Sequence, residues 1–377
     1  MKILIASDSF KGSLSSMEVA DLLEKGILTT YEDAKIIKIP MADGGEGTLD
    51  TILSSIEGEK ISLKVKDPLG NLISASYGLI DKKTAIVEMA QASGITLLSG
   101  KKRNPLLTTT YGTGQLIRDA LDKGASKIYI GLGGSATNDG GVGMAQALGI
   151  SFKDINGDEV GYGGRNLINI DTIDTSNIHP GLVNAEIIGI SDVNNILCGE
   201  NGASYVFGPQ KGGSREDIEL LDKNLFHLSE MIKKHMGQDI SNIKGAGAAG
   251  GLGGGVLAFL NGRLESGVER ILDIINFNEI VGDVDLVITG EGKMDSQTKY
   301  GKVPSGVAKR SKLFHKKVIA VAGSIGDDID DLYDLGIDII LGIIDKPMTI
   351  DFAIKNAEEL VFKTGKNIGR MIKQMRI

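Results

Sequence analysis

At 377 residues the chain is long enough for two domains of roughly 100–200 residues each, and its 41% apolar content supplies cores for both. The net charge of -8, the sparse aromatics and the absence of Trp argue against nucleic acid or an anionic membrane as partner, while leaving room for a locally positive site that takes a small anion. With Cys198 as the sole cysteine, neither an intramolecular disulfide nor a cysteine-built zinc cluster can form.

Lys2 to Ser7 reads as a buried strand, entered from Met1 without the apolar region and cleavage site of a signal peptide. Ser15 and Glu18 have the spacing of a capping box, after which Met17, Ala20, Leu22, Leu23 and Ile27 give one apolar helical face. Lys35 to Pro40 is the next strand. From Ser62 to Tyr77 apolar residues alternate around Asp67-Pro68-Leu69-Gly70, the pattern of an antiparallel hairpin. Thr108 to Gly114 leads into a helix reaching Leu121, and two readings stand there equally: capping by Thr113, or an anion held at the helix start. Lys127 to Ile130 and Ala185 to Ile190 are further strands, and Gly208 to Gly213 reads as a solvated polar loop carrying Lys211. Gly245 to Leu260 is Gly/Ala-rich and shorter than the ~20 residues a membrane-spanning helix needs, so the expected location is the cytoplasm.

The last third alternates strands and helices. Strands are expected at Asp285 to Thr289, Lys317 to Ala322 and Asp338 to Ile344. Helices are expected from Pro304 to Phe314, near Asp328 to Leu335, and as one long element from Phe352 to Gln374. Such βα units share a parallel sheet. The predicted fold class is α/β: a Rossmann-like parallel-sheet domain built from both termini, residues 1–60 and 283–377, with a second α/β domain inserted at 61–282.

The 52 glycines, nearly double the usual share of about 7%, gather at the ends of apolar runs. Five segments combine glycine with acids and hydroxyls: Asp8 to Ser13, Met41 to Thr48, Gly131 to Gly141, Ser191 to Asn195, and Gly290 to Thr298. Glycine lets backbone N–H groups approach phosphate, a following helix start adds positive potential, and ligands of open α/β sheets bind beyond the carboxyl ends of the strands. Any one segment could be ordinary capping; five in one chain point to phosphoryl transfer assisted by Mg²⁺, which needs one or two carboxylates, and by an acid that takes the hydroxyl proton. Asp43, Asp192 and Asp295 are the candidate acids, and Lys11 and Lys293 the candidate cations for phosphate or a substrate carboxylate. His179, His227, His235 and His315 lie outside all five segments.

A Walker A motif is absent, because Val303 follows Gly301-Lys302. Gly131, Gly133 and Ala136 fit G-x-G-x-x-A with Asp154 downstream, and Gly245, Gly247 and Gly250 fit G-x-G-x-x-G without a clear preceding strand. These fits support a rival reading, an NAD-dependent dehydrogenase of a small hydroxy acid, which leaves Asp43 and Asp295 unexplained.

The strings Asp8-Ser9-Phe10-Lys11-Gly12-Ser13-Leu14, Pro40 to Thr48, Thr109 to Gly114, Gly133 to Gly141, Gly202 to Lys211, Gly245 to Gly255 and Gly290 to Thr298 together resemble the bacterial glycerate kinase family of the non-Walker type. One segment departs from the family pattern: Ser191 and Ile196 stand where Cys and Pro are expected, while Asp192 and Asn195 are kept. The resemblance implies ATP-dependent phosphorylation of D-glycerate to 2- or 3-phosphoglycerate, with ATP and Mg²⁺ as cofactors and the active site in a cleft between two α/β domains. The expected catalytic residues are Asp192 as base, Asp43 and Asp295 at the metal, and Lys11. The expected ligand-binding residues are Asp8, Ser9, Lys11, Gly44, Gly45, Glu46, Gly47, Thr48, Gly133, Gly134, Ser135, Thr137, Asn138, Asp139, Asn195, Lys211, Gly290, Glu291, Gly292 and Lys293.

Overall fold

A computed structural model of the chain describes residues 1–42, 45 and 47–375. Among them the strands run in chain order as β1 (Lys2–Ser7), β2 (Lys35–Lys38), β3 (Gly58–Lys66), β4 (Leu72–Ile80), β5 (Thr84–Glu88), β6 (Lys127–Gly131), β7 (Ser151–Lys153), β8 (Thr172–Asp174), β9 (Glu186–Ile190), β10 (Arg263–Glu265), β11 (Leu286–Met294), β12 (Lys317–Ile325) and β13 (Ile339–Gly342). The chain divides into two compact units, one of Met1–Asp43, Asp50–Ser55 and Gly267–Ile377, the other of Gly44–Leu49 and Ile56–Ser266. Among the described residues no helix is long and apolar enough to cross a membrane.

The first unit holds a five-stranded, all-parallel sheet in the order β13-β12-β11-β1-β2. Its inner strands are apolar on both faces because both sides are covered: Ile3, Ile5, Leu286, Ile288, Ile319 and Val321 are buried in one cluster on one face, and Leu4, Val287, Val318 and Ala320, which alternate with them, are buried on the other. The chain leaves β1 toward β2 and later returns on the opposite side of β1 with β11. The carboxyl ends of β1 and β11, aligned as Ser7 beside Gly290, therefore form a topological switch point, where ligands of such sheets bind.

The helix Ser16–Thr30 begins at the expected capping box: Glu18 N donates to Ser15 Oγ at 3.3 Å, and Ser15 N donates to Glu18 Oε2 at 2.8 Å. Its buried face is Val19, Ala20, Leu23, Gly26 and Ile27. Met17 is 37% exposed and Leu22 only half-buried, so the apolar stripe is narrower than the pattern predicts. This helix lies directly on Ala357–Met375. A Cβ on Gly26 would come within 2.4 Å of Phe362 O, and one on Gly365 within 2.7 Å of Leu23 O. The long helix expected from Phe352 is two helices, Ile350–Lys355 and Ala357–Met375, with Thr349 capping the first through Phe352 N. At the other end of this unit, the helix Gly267–Ile274 packs on Val303–Leu313, where a Cβ on Gly306 would meet Val268 Cγ1 at 2.3 Å.

The second unit holds a six-stranded sheet in the order β10-β9-β6-β5-β4-β3, in which β5, β6, β9 and β10 are parallel and the expected β3–β4 hairpin is antiparallel. Asp67 closes the hairpin turn by accepting from Leu69 N and Asn71 N through Oδ1, and Gly70 supplies the φ of +87°. A core that includes Val87, Ile130, Ile187, Leu225 and Leu252 fills the space between sheet and helices.

The contact between Ser16–Thr30 and Ala357–Met375 leaves no room for a side chain at Gly26. We expect Gly26→Val to lower unfolding free energy by about 1–3 kcal/mol in urea titrations. Gly100→Ala, where nothing lies within 4 Å of the new Cβ, should leave the midpoint unchanged.

Candidate active site

In the first unit the expected residues gather at the switch point. Asp8 follows β1, its N–H donates to Gly290 O at 2.9 Å, and its Oδ1 accepts from Ser9 N at 2.7 Å. Phe10 to Leu14 turn back on themselves and bring Lys11 beside β11. Gly292 permits that approach, since a Cβ there would stand 3.3 Å from Lys11 N. Asp8, Ser9, Lys11, Glu291, Gly292 and Lys293 all line one cavity of about 450 Å³ in this unit.

The two acids near Lys293 have opposite electrostatics. Burial pushes the Glu291 carboxyl above its ordinary value, against the hydroxyl of Thr298 and the ammonium of Lys302 at 3.1 Å. Burial also pushes Asp295 upward, but the Gln297 amide, Lys293 at 3.2 Å and Lys302 at 3.9 Å outweigh it and hold the carboxyl below its ordinary value. Asp295 is thus a reliably ionised acid in a cationic setting. Lys302 enters the sequence reading only through the failed Walker match, yet it faces both acids. Its signal was the strand-loop-helix geometry, with Pro304 in the first turn of the helix it precedes.

In the second unit the Gly131 to Gly141 loop leaves β6 beside the end of β9, where Leu132 N donates to Ile190 O at 3.1 Å. Asp139 holds this loop in shape. Its carboxylate accepts from Thr110 N at 2.7 Å, Thr110 Oγ1 at 2.9 Å, Gly141 N at 3.2 Å and Gly143 N at 3.3 Å. Burial raises its pKa and these bonds pull it back only partly. The helix after Thr110 is not capped by Thr113, which lies inside it, buried and bonded to Ser93 Oγ. Thr108 Oγ1 and Thr110 Oγ1 are likewise engaged within the protein.

Lys211 is not on a solvated loop. It is 2% exposed, and its Nζ donates to Ser135 Oγ and to Thr137 O, both at 2.7 Å. Burial lowers its pKa to about 7, against the pull of Asp139. Asn138 Nδ2 donates to Ser204 Oγ at 2.9 Å, while Thr137 Oγ1 and Asn138 Oδ1 are buried with no hydrogen-bond partner among the described residues. Lys211 therefore ties Ser135 to Thr137 within the same loop that Asp139 braces.

Asp192 stands just past β9, half-buried, with Oδ1 accepting from Ser266 Oγ at 2.8 Å. Ser191, where the family pattern has Cys, accepts from Val193 N through its hydroxyl at 3.3 Å. Asn195 ties the segment down: its carbonyl accepts from Gly245 N and Gly247 N, and its Nδ2 donates to Asn201 O. Thr48 is buried and bonds Gly45 O through Oγ1 at 2.8 Å, and Gly47 has a φ of +89°. Leu49 N and Gln91 Nε2 both donate to Glu88, a buried acid at the end of β5 that the sequence reading missed because no glycine marks it. Asp43, Gly44 and Glu46 lie outside the described residues. The histidines sit apart from both clusters; His179 pairs with Asp122 and His227 with Ile170 O.

Because Lys211 loses its proton near pH 7 when folded and near 10.5 when unfolded, the unfolded state binds more protons in that window. Its contribution to stability should therefore rise between pH 7 and pH 10.5, by up to about 1.4 kcal/mol per pH unit. The stability difference between wild type and Lys211→Met, followed by urea titration at pH 7, 8 and 9, should show this rise. A pH-independent difference would place the residue in a solvated setting instead.

A model of the glycerate kinase family matches residues 3–373. The chain is 47% identical over 367 residues to a glycerate kinase of Halalkalibacterium halodurans, covering 97% of each chain. It is 47% identical over 369 residues to the glycerate 2-kinase of Escherichia coli, covering 98% of this chain and 97% of that protein. The solved structure of a glycerate kinase 2 from Salmonella typhimurium LT2 superposes with a TM-score of 0.87 at 43% identity, over 100% of this chain and 99% of that one. No comparison supports the dehydrogenase reading, and the helix after Gly131 to Gly141 spans only Val142–Ala147. From the acid-and-lysine cluster at the switch point to the Asp139-braced glycine loop, the chain belongs to the glycerate kinase family.

Proposed function

We propose that this protein transfers the γ-phosphoryl group of ATP to the 2-hydroxyl of D-glycerate, giving ADP and 2-phosphoglycerate. The observation that carries this reading is the set of cations, Lys11, Lys293 and Lys302, that line one cavity at a sheet switch point, with Asp295 paired behind them at 3.2 Å from Lys293 and 3.9 Å from Lys302. Phosphoryl transfer needs little covalent chemistry from the protein, and mostly positioning and charge stabilisation. Lys11 and Lys293 would carry the phosphate charge. The choice of the 2-hydroxyl follows the name of the E. coli relative. A cytoplasmic location, where ATP is made, goes with this reading.

Asp192 is assigned as the base. The glycerate hydroxyl oxygen attacks the γ-phosphorus, the bond to the β-phosphate oxygen breaks, and the hydroxyl proton passes to Asp192. Ser266 fixes one carboxylate oxygen, so that the carboxylate keeps a defined orientation. In the glycine loop Gly133 and Gly134 are the parts open to an acceptor, while Ser135, Thr137 and Asn138 are buried and would shape the loop behind them.

The donor set also fits Mg²⁺. Among the described residues no three His, Cys, Asp or Glu side chains cluster as a metal cage. A hard cation that takes one or two carboxylates and fills its shell with phosphate oxygens and water needs no cage. Asp295 would hold it, with Asp43 as the second ligand proposed from the sequence. When bound, the ion neutralises phosphate charge.

Purified protein with D-glycerate, ATP and Mg²⁺ should yield a product whose ³¹P–¹H coupling places the phosphate on the 2-position; coupling to a methylene would move it to the 3-position. Asp192→Asn should lower kcat about 10²–10⁴-fold with little change in the urea midpoint. An unchanged kcat would remove Asp192 from the base role.

A further inference from the structure

The cavity at the switch point has a second side that the catalytic assignments leave unused. At about 450 Å³ it is well within the ~300–1,000 Å³ usual for small-molecule sites. Besides Lys11 and Lys293, the cavity is lined by Ile343, Ile344, Met348, Ile350, Ala353 and Ile354. These residues come from the end of β13, the segment after it, and the short helix Ile350–Lys355. Large apolar side chains on this wall stand open to solvent: Ile350 is 78% exposed, and Ile344 and Ile354 are also exposed. Such a group around a cavity, unlike scattered surface residues, favours an occupant that presents an apolar face.

The two sides of the cavity together restrict that occupant. It must carry an apolar, flat or compact body at one end and concentrated negative charge at the other. Glycerate has a carboxylate and hydroxyls and nothing for an apolar wall. A purely hydrophobic ligand would match the apolar wall but not the cationic lining of Lys11, Lys293 and Lys302. A nucleoside triphosphate has both ends, and the base offers two apolar faces.

We propose that this wall is the nucleobase subsite: the adenine of ATP packs against Met348, Ile350 and Ile354, and the triphosphate runs toward Gly292, Lys11 and Lys293. The proposal rests on the kinase reading for the identity of the nucleotide, and on the cavity alone for its placement. The helix Ile350–Lys355, capped by Thr349 and separated from the next helix at Asn356, holds one side of the base. The glycerate-reading residues are then confined to other segments.

Two variants test this, one that fills the wall and one that strips it: Ala353→Phe and Ile350→Ser. Both should raise KM for ATP about tenfold and leave KM for D-glycerate within about twofold, since an interaction made equally in ground and transition states appears in KM. Calorimetric titration should show ADP affinity falling by a similar factor in both, while inorganic tripolyphosphate binds as in wild type. Circular dichroism and the urea midpoint report on folding, and Ile350→Ser, at an exposed position, keeps the test alive if Ala353→Phe unfolds. A rise in KM for D-glycerate with KM for ATP unchanged would overturn the placement, as would unchanged ADP affinity in a folded Ile350→Ser. If wild type binds ADP through this wall but turns over no D-glycerate, the kinase reading fails and the subsite stands.

Discussion

Backbone meeting backbone at glycine is the constraint on which both functional clusters depend. In the first unit a Cβ on Gly290 would come within 2.4 Å of Val321 O, and one on Gly323 within 2.5 Å of Gly292 O. The ends of β11 and β12 can stay paired to the level of Lys293 and Ser324 only because those side chains are missing. In the second unit a Cβ on Gly250 would fall 1.9 Å from Thr137 O, so the glycine-rich segment before the helix ending at Phe259 lies directly on the loop that Asp139 braces. In the second unit this close packing buries Ser135, Thr137, Asn138 and Asp139 within the loop.

Burial then sorts the ionisable groups by task. Asp139 and Glu291 are carboxylates inside the protein, pushed toward the neutral form by desolvation and held by hydrogen bonds from their own loops. Lys211 is the matching cation, its pKa lowered to about 7, and it bonds a hydroxyl and a carbonyl rather than a ligand. Asp295 and Lys293 lie nearer to water and pair at 3.2 Å, and the Gln297 amide with Lys293 and Lys302 holds the Asp295 carboxyl below its ordinary value. The buried set fixes loop shape, and the more open set leaves charged groups near the cavity. That division leaves Lys11, Lys293 and Lys302 together at one cavity in a chain whose net charge is -8.

Much of this was legible in the residues. The alternation of β-branched runs with amphipathic segments gave the parallel sheets, the Ser15–Glu18 pair gave the first helix start, and Asp67 to Gly70 gave the hairpin turn, because each is a local rule of backbone chemistry acting over a few residues. The glycine-acid strings gave the family for a related reason: close approach and phosphate contact tolerate few alternatives at each position. Other features were illegible. Nothing near Lys211 in sequence distinguishes it from a solvated lysine, since its partners Ser135 and Thr137 lie more than seventy residues away. Glu88 and Lys302 carry no motif, and Asn356 interrupts the last helical run without a proline or glycine to announce it.

The sequence by itself determined the fold class, the family and the stretches where chemistry gathers, because those follow from local periodicity and from short strings with few physical substitutes. Only the tertiary structure decided which charges are buried, which acids are pushed above or below their ordinary values, and that apolar residues from Ile343 to Ile354 line the same cavity as Lys11 and Lys293. Those properties are set by desolvation and by contacts that include residues from dozens to hundreds of positions away, and neither quantity exists until the chain has folded.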